Sequence, residues 1–382
     1  MRGGMPWVYI SDLIESSEHL MIPPGSLVTL ETQRGEYVAT GYFNQRSQIA
    51  FRVLSLNREP VDSSFFTRRM TAALKKREAI IRVPYYRMVH SEADGLPGLL
   101  IDRFGDYAVA QAGAAGMELL QPLWLAALEE VIAPQAIILR NDVAARKLEG
   151  LKQEVRVVKG EVPDLVQLEE NGTLYLADLR KGQKTGWFYD QRDNRKMIAE
   201  LAKGKRVVDI YSHSGGFGLI AAREGAQSVT LVDSSVLALE LAKKAAQLNG
   251  VEKTLSCRQG DAFEQMAKMA AEKLSFDIVL ADPPAFVKTK KDIAAGLKGY
   301  EKVAKLAAAL VEEDGLLFVA SCSHHAQRQR FNEAVKLGVK KAGRSFEVLA
   351  QTGAAGDHPR HPMLGQNEYL KGILLKIRCE PK

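Results

Sequence analysis

The second half of the chain constrains the fold most, because strand-like and helix-like segments alternate there. The apolar runs that fit buried strands are Arg206–Ile210, Ser228–Val232, Phe276–Ala281 and Leu316–Ala320. Helix-like segments lie between them, notably Val236–Asn249 and Tyr300–Glu312. Strands that alternate with helices are typical of a doubly wound parallel sheet. We therefore expect an α/β domain from Asp190 to the end of the chain, over residues 190–382.

The N-terminal part follows a different pattern. From Ser26 to Leu56, short segments alternate apolar and polar residues and are separated by polar turns. This pattern favours a small β-barrel or a half-buried sheet, which we place in residues 1–70. The segment Phe65–Tyr86 is predicted to be helical and to lead into an α+β middle domain over residues 71–189, with a hairpin around Gly105. The chain is thus expected to be multidomain.

Composition limits where the protein acts. The chain has 382 residues, of which 46% are hydrophobic, yet no run approaches the length of a membrane span or of a secretory signal. Its three cysteines do not make a disulfide framework. We therefore expect a folded cytoplasmic protein without a membrane partner. The formal net charge of +6 is compatible with a polyanionic partner.

A glycine turn follows the first strand of the α/β domain, in the segment Val207–Gly218. Small residues at such a turn let a ligand approach the backbone at the start of the next helix. The pattern is not G-x-G-x-x-G, and Asp209 stands inside the strand, which favours S-adenosylmethionine over NAD. Asp233 ends the second strand, where a carboxylate can accept both ribose hydroxyls, and Asp261 is placed to accept the adenine amine. Both could instead be helix N-caps.

Two further residues end the fourth and fifth strands. Asp282 begins a D-P-P-A-F loop, in which two prolines fix the backbone at the carboxyl edge of the sheet. Cys322 stands in S-C-S-H-H directly after the next strand. A free cysteine is usually a small buried hydrophobe, and its spacing from other ligands does not fit zinc, so no metal is expected. Because ligands bind at this edge of an open sheet, we expect Asp282 and Cys322 to face one pocket.

Several motifs together resemble one known family, the bacterial PUA-domain large-subunit ribosomal RNA cytosine-5 methyltransferases. The motifs that carry the resemblance are GYFNQRSQIAFRVLS (41–55), DGLPGLLIDRFGDY (94–107), KTGWFYDQRDNR (184–195), DIYSHSGGFG (209–218), DPPAF (282–286), SCS (321–323) and DHP (357–359). The resemblance implies an RNA-binding PUA fold at the N-terminus and a Rossmann-like class I methyltransferase domain at the C-terminus. It also implies S-adenosylmethionine as cofactor and large-subunit (23S) ribosomal RNA as partner, and it leaves a homodimer open.

The predicted site has three groups of residues. Cys322 is predicted to be the nucleophile, with Asp282 as its catalytic partner. The predicted cofactor residues are Asp209, Tyr211, Ser214, Gly215, Gly216, Asp233, Asp261, Ala262, Asp282 and Gln191. The predicted RNA contacts are Arg192, Phe286, Lys288, Lys290 and Lys291, in basic segments that flank the active-site loops.

The chemistry explains why a cysteine is expected. Carbon-5 of cytosine is a weak nucleophile, and addition of a thiolate to carbon-6 makes it enamine-like. Asp282 can stabilise this adduct at N3 and the exocyclic amine. The base that removes the carbon-5 proton is left open between His324, His358 and water. Related RNA methyltransferases carry a second cysteine after the motif proline for product release, whereas Ala285 and Phe286 stand here.

Two other functions remain open at this point. An enzyme that methylates the exocyclic amine of a base would also use a D-P-P-aromatic loop, with Cys322 merely packing. A non-catalytic RNA-binding factor would keep the PUA domain but not an intact cofactor pocket.

Overall fold

The computed structural model describes residues 4–14, 19, 21–365 and 368–379. Within these ranges the chain forms two compact units. The first comprises the described residues of Met1–Leu168, Ala177–Tyr189 and Gly356–Gly365, and the second those of Glu169–Leu176, Asp190–Ala355 and Gln366–Lys382. None of the helices in those ranges combines the length and apolar character of a membrane span.

The first unit contains two sheets. The strands of the N-terminal sheet, which has the order β1-β4-β3-β2, are β1 (Trp7–Tyr9), β2 (Ser26–Glu31), β3 (Tyr37–Phe43) and β4 (Ile49–Ser55). All its neighbours are antiparallel, as the alternating pattern predicts. The second sheet, in the order β5 to β9, consists of β5 (Tyr85–His90), β6 (Leu99–Phe104), β7 (Tyr107–Ala112), β8 (Ala136–Asn141) and β9 (Glu154–Lys159).

The helices of the first unit are α1 (Ser63–Glu78), α2 (Ala115–Leu119), α3 (Gln121–Ile132) and α4 (Ala145–Leu148). Asp62 caps α1 by accepting the backbone N–H of Phe65 at 3.0 Å. The prediction that this helix reaches Tyr86 is wrong, because α1 ends at Glu78 and Tyr85 begins β5. The β-branched residues and the proline that follow Ala79 favour extended backbone. Met70, the predicted domain boundary, lies inside α1 and is fully buried.

The second unit is built on a seven-stranded sheet with the order β14-β13-β12-β15-β16-β18-β17. A hairpin of β10 (Val166–Glu170) and β11 (Thr173–Ala177) precedes it. The strands of the sheet are β12 (Arg206–Ile210), β13 (Ser228–Asp233), β14 (Leu255–Gln259), β15 (Phe276–Ala281), β16 (Val311–Ser321), β17 (Arg344–Thr352) and β18 (Lys371–Cys379). The first five are parallel, so their carboxyl ends meet at one edge.

Helices pack on the sheet of the second unit. They are α5 (Arg192–Leu201), α6 (Gly216–Arg223), α7 (Val236–Leu248), α8 (Ala262–Ala271), α9 (Ile293–Ala308) and α10 (Arg328–Lys341). Two clusters of buried side chains fill the space between sheet and helices, one around Val208 and Tyr300 and the other around Val207 and Phe217. Strands buried on both faces explain why the central segments read as apolar runs rather than as alternating ones. The predicted α/β sheet is confirmed.

Candidate functional site

The glycine turn lies between β12 and α6. Tyr211, His213 and Gly215 have φ values of 64°, 49° and 82°, so the backbone winds tightly through the left-handed region. Gly218 is required for a different reason, because a Cβ atom there would lie 2.2 Å from the Leu231 side chain of β13. Glycine at this position therefore lets α6 pack closely on the sheet. The N-terminus of this helix lies at the carboxyl edge of the sheet, where an anionic or polar ligand is favoured.

Asp209, which is buried in β12, binds the backbone of the first turn of α6. Its Oδ2 accepts the backbone N–H of Gly218 at 2.9 Å, and the residue is 1% exposed. Burial raises the pKa of this carboxyl to about 7, the bond from Gly218 opposes that rise, and the charges of Asp282 and Asp233 add to it. The carboxylates predicted at successive strand ends therefore interact electrostatically, and Asp209 supports the turn from the interior.

Asp233 ties the second strand to the same turn. Its Oδ2 accepts the N–H of His213 at 2.8 Å, and its Oδ1 accepts the N–H of Ser235 at 2.8 Å. The N-cap of α7 is Ser235, not Asp233, so the capping alternative does not apply to Asp233. Each carboxylate oxygen has lone pairs beyond these bonds, and the residue is half-buried, so it can still accept hydroxyl donors.

Asp261 does act as an N-cap. Its Oδ1 accepts the N–H groups of Phe263 at 2.9 Å and Glu264 at 3.1 Å, which starts α8 next to the buried Ala262. The prediction that Asp261 could be a helix N-cap is thus correct, and it does not exclude a second role in ligand binding. Because both bonds fall on Oδ1 of an exposed side chain, Oδ2 can also accept a ligand amine.

Two buried hydroxyl groups in the turn indicate whether a polar cofactor fits there. Among the described residues, neither Tyr211 OH nor Ser212 Oγ has a hydrogen-bond partner, although both atoms are buried. Burial also raises the pKa of the Tyr211 hydroxyl well above its ordinary value. Buried hydroxyls normally have partners. A nucleoside-containing cofactor at the turn would supply donors and acceptors there, so the residues present fit S-adenosylmethionine.

The neighbouring Ser214 is 3% exposed, and its Oγ lies 3.1 Å from His213 Nδ1. Burial lowers the pKa of His213, against the opposing charge of Asp233.

A buried ion pair supports the turn from the side of the hairpin, and sequence reasoning missed it. Arg195 of α5 donates to Glu170 Oε1 at 2.6 Å, and its guanidinium lies 5.7 Å from the Phe217 ring. Tyr175 donates its hydroxyl to the carbonyl of Gly216 at 3.0 Å. A Cβ atom on Gly216 would lie 2.8 Å from Arg195 Nε, which accounts for glycine at that position. Charged residues in the sequence suggested solvated faces, and no motif marked these as buried.

Arg192, a predicted RNA contact, has a buried side chain in this structure. Its side chain is 7% exposed and approaches Glu170 at 3.7 Å. A guanidinium that binds phosphate must be accessible, whereas this one faces a buried carboxylate. An RNA contact of Arg192 stays a prediction, and in this structure its side chain lies beside Glu170 among the residues that support the turn.

Asp282 follows β15 at the same edge of the sheet. Gln191, which is 2% exposed, donates from Nε2 to Asp282 Oδ2 at 2.8 Å. Asn194 in turn donates to Gln191 Oε1 at 2.5 Å. Gln191, which we predicted to touch the cofactor, thus orients the Asp282 carboxylate in this structure.

The loop after Asp282 carries the remaining predicted RNA contacts. Phe286 is half-buried between the rings of Phe263 and Tyr300, at centroid distances of 6.4 and 4.9 Å. Lys288, Lys290 and Lys291 are exposed. Between them, Thr289 donates its backbone N–H and hydroxyl to Asp292 Oδ2, at 2.9 and 2.8 Å, which fixes this basic segment at the start of α9.

Cys322 directly follows β16, the parallel neighbour of β15, and is half-buried. The serines on either side of it share a buried hydroxyl network with Tyr300, which lies 2.8 Å from Ser321 Oγ and 2.7 Å from Ser323 Oγ. Asp282 and Cys322 therefore lie directly after the ends of two adjacent strands, on the same edge of the sheet.

The histidines considered as bases lie in different places. His324 is exposed and stacks on Tyr369 at a centroid distance of 5.2 Å. His358 belongs to the first unit, where its Nδ1 lies 2.8 Å from Asp357 Oδ1 and its ring lies 5.0 Å from that of His90. The described free cysteine Cys257 lies in β14, four places from β16 in the sheet, so it does not stand in for the missing second thiol.

Comparison with known proteins agrees with this architecture. Residues 1–56 match the family described as PUA-like domain, and residues 143–326 match S-adenosylmethionine-dependent methyltransferase. The chain is 37% identical over 380 residues to the ribosomal RNA large subunit methyltransferase I of Aeromonas hydrophila, covering 98% of this chain and 95% of that protein. It is 36% identical to the protein of the same name from Tolumonas auensis, covering 92% and 90%.

Solved structures share the fold. A SAM-dependent methyltransferase of Streptococcus mutans superposes with a TM-score of 0.81 at 21% identity, covering 98% of this chain and 96% of that one. A methyltransferase solved in complex with S-adenosylhomocysteine gives a TM-score of 0.83 at 20% identity, with the same coverage. The predicted PUA-like domain, methyltransferase domain and S-adenosylmethionine cofactor are confirmed. The chain belongs to the family of PUA-containing, S-adenosylmethionine-dependent methyltransferases represented by ribosomal RNA large subunit methyltransferase I.

Proposed function

We propose that this enzyme methylates carbon-5 of a cytosine in large-subunit ribosomal RNA through a covalent adduct with Cys322. The observation that carries the proposal is the placement of Cys322 and Asp282 at the ends of the adjacent parallel strands β16 and β15, beside the glycine turn. The relatives are named as methyltransferases of large-subunit ribosomal RNA, which supports the substrate class.

The cofactor site is proposed from the residues at the strand ends. Asp233 would accept the ribose hydroxyls and Asp261, through Oδ2, the adenine amine. The other residues proposed to line the site are Tyr211, Ser214, Gly215, Gly216 and Ala262. S-adenosylmethionine bound there supplies an electrophilic methyl group.

The protein groups then act on the base. Cys322, as thiolate, adds to carbon-6, which makes carbon-5 nucleophilic. Addition of the thiolate places negative charge on the ring, which is neutralised as N3 gains a proton from solvent. Asp282 accepts hydrogen bonds from the cytosine amine and from the protonated N3, and Gln191 keeps the carboxylate in position with its 2.8 Å bond. After methylation, loss of the carbon-5 proton to a base and departure of the thiolate restore the aromatic ring and the free enzyme.

A trapping experiment tests the covalent step. RNA that contains 5-fluorocytosine cannot lose the substituent at carbon-5, so the adduct should accumulate as a protein–RNA band that survives denaturation. Cys322→Ala should abolish both the band and methylation, whereas Cys257→Ala, the matched control in β14, should retain both. Methylation by purified Cys322→Ala protein would instead favour the amine-methylating alternative.

Binding of S-adenosylhomocysteine separates an enzyme that lacks only its nucleophile from a misfolded one. We expect Cys322→Ala to bind it with wild-type affinity, because the cysteine follows β16 while the proposed cofactor residues follow β12, β13 and β14. Loss of this binding would mean that the substitution acts through the fold.

A further inference from the structure

The segment that carries Cys322 is fastened by a buried lysine. Lys371 opens β18 and pairs directly with Ser321, the last residue of β16. Its ammonium donates to the carbonyls of Ser323 and Ala326, at 2.7 Å each. The residue is 1% exposed. These bonds span the backbone on the C-terminal side of Cys322 and leave one of the three ammonium N–H groups for another acceptor.

A lysine is an unusual choice for such a clamp. A neutral side chain could bind two carbonyls without the cost of burying a charge. Burial lowers the pKa of Lys371 to about 8, the charge of Arg328 adds to that effect, and the charges of Cys322 and Glu368 oppose it. Because Lys371 Nζ lies 2.7 Å from the carbonyl of Ser323, the residue next to Cys322, its charge lies close to the cysteine, and with a pKa of about 8 the lysine is mainly an ammonium at pH 7.

Other described groups near this segment have partners of their own. Arg328 and Glu368 form an ion pair with each other at 2.8 Å. Tyr300, between the two serines, has its pKa raised by burial, so at neutral pH it is an uncharged hydroxyl. His324 is exposed and stacks on Tyr369.

We propose that Lys371 is a positioning residue that holds the Cys322 segment and stabilises the Cys322 thiolate with its ammonium charge. The inference rests on the proposed function, in which that thiolate is the nucleophile. A cation beside a cysteine increases the population of thiolate, which is the reactive form. Without Lys371, the negative charge of the Cys322 thiolate would lose the stabilisation that this ammonium provides.

Alkylation by iodoacetamide tests the proposal without RNA, in a background of Cys257→Ala and Cys379→Ala so that only Cys322 reacts. At pH 7, Lys371→Met should react about tenfold more slowly than the wild type, the effect of a rise of about one unit in the pKa of Cys322. At pH 10, where Cys322 is ionised in both proteins, the two rates should be equal. Lys371→Arg should restore most of the rate at pH 7. Lys376→Met, in the same strand but ion-paired with Asp314 at 3.0 Å on the surface, is the matched control and should react like the wild type.

The pH dependence separates the charge effect from a structural one. Equal rates for Lys371→Met and wild type at pH 7, or the same loss at pH 7 and pH 10, would overturn the proposal, as would a Lys371→Arg protein as slow as Lys371→Met. Because no methyl transfer is measured, this result is independent of the proposed function, which Cys322→Ala tests.

Discussion

Asp233 Oδ2 accepts the backbone N–H of His213 at 2.8 Å, which joins the end of β13 to the glycine turn that follows β12. The neighbouring N–H of Ser212 donates to the carbonyl of Val232 at 3.0 Å, so the turn is fastened at two successive residues. His213 has a φ of 49°, a conformation that a non-glycine residue rarely adopts. The same carboxylate that we expect to bind ribose therefore also holds the backbone of the turn.

Asp233→Asn should weaken both functions. Both carboxylate oxygens accept a backbone N–H, and an asparagine amide would place N–H against N–H at one of them. We expect a loss of about 1–2 kcal/mol in the free energy of unfolding without ligand, and a further 1–3 kcal/mol in the binding of S-adenosylhomocysteine. Urea unfolding and titration calorimetry measure the two effects. Unchanged affinity would reject the ribose assignment.

Asp261→Asn separates capping from ligand binding. Asparagine is as good an N-cap as aspartate and can keep both bonds that now fall on Oδ1. Stability should therefore change by less than about 0.5 kcal/mol, while affinity for S-adenosylhomocysteine falls because an amide donor replaces the oxygen that would face the adenine amine. Asp261→Ala should lose both. If Asp261→Asn binds like the wild type, the residue is a cap alone.

The basic segment after Phe286 is expected to contact RNA phosphates. Lys288, Lys290 and Lys291 are exposed, in a segment that follows the Asp282 loop and that the Thr289–Asp292 bonds fix at the start of α9. Replacing the three by glutamine should weaken RNA binding and reduce the slope of log affinity against log salt by about 2, with cofactor affinity unchanged.

The matched control for this change removes the same charge elsewhere in the second unit. Lys243, Lys244 and Lys253 are also exposed, in and after α7. Their replacement by glutamine should leave the salt slope as it is. If the two triple variants behave alike, the segment after Phe286 is an ordinary solvated face.

Much of the α/β sheet could be predicted because buried parallel strands leave a simple signal. The predicted bounds of β12 and β15 match the structure, and β13 is longer by Asp233 alone. The strands β17 and β18 were not predicted, because charged residues such as Glu347 and Lys376 interrupt their apolar patterns. Strand ends also fix which residues reach the carboxyl edge, which is why Asp233, Asp282 and Cys322 could be named from the sequence.

The supports of the site could not be predicted in the same way. Glu170, Arg195 and Lys371 are charged residues with exposures of 0–4%, held by partners distant in sequence or by backbone carbonyls. A sequence pattern places charged residues on solvated faces unless a motif says otherwise. The burial of Arg192 on α5 beside Glu170 was likewise not visible in the sequence, where it belongs to a basic segment next to the active-site loops.

Asp209 should make the stability of the protein depend on pH in a way that Asp209→Asn removes. Burial raises the pKa of this carboxyl from its ordinary value to about 7, so the folded state binds its proton more tightly than the unfolded chain does. The resulting stabilisation is fully present below pH 4 and is lost as the pH rises through 7.

Asparagine stays neutral at every pH and can still accept the N–H of Gly218. The free energy of unfolding of Asp209→Asn, relative to wild type, should therefore rise by about 2–4 kcal/mol between pH 5 and pH 8, the range that a shift of this size implies. Urea unfolding of the ligand-free proteins at both pH values measures this difference, and Asp261→Asn, the same substitution at an exposed carboxylate, is the control. A difference between wild type and Asp209→Asn that does not change with pH would show that the carboxyl is already ionised at pH 5. The turn would then be held by a charged acceptor, and the raised pKa of Asp209 would be wrong.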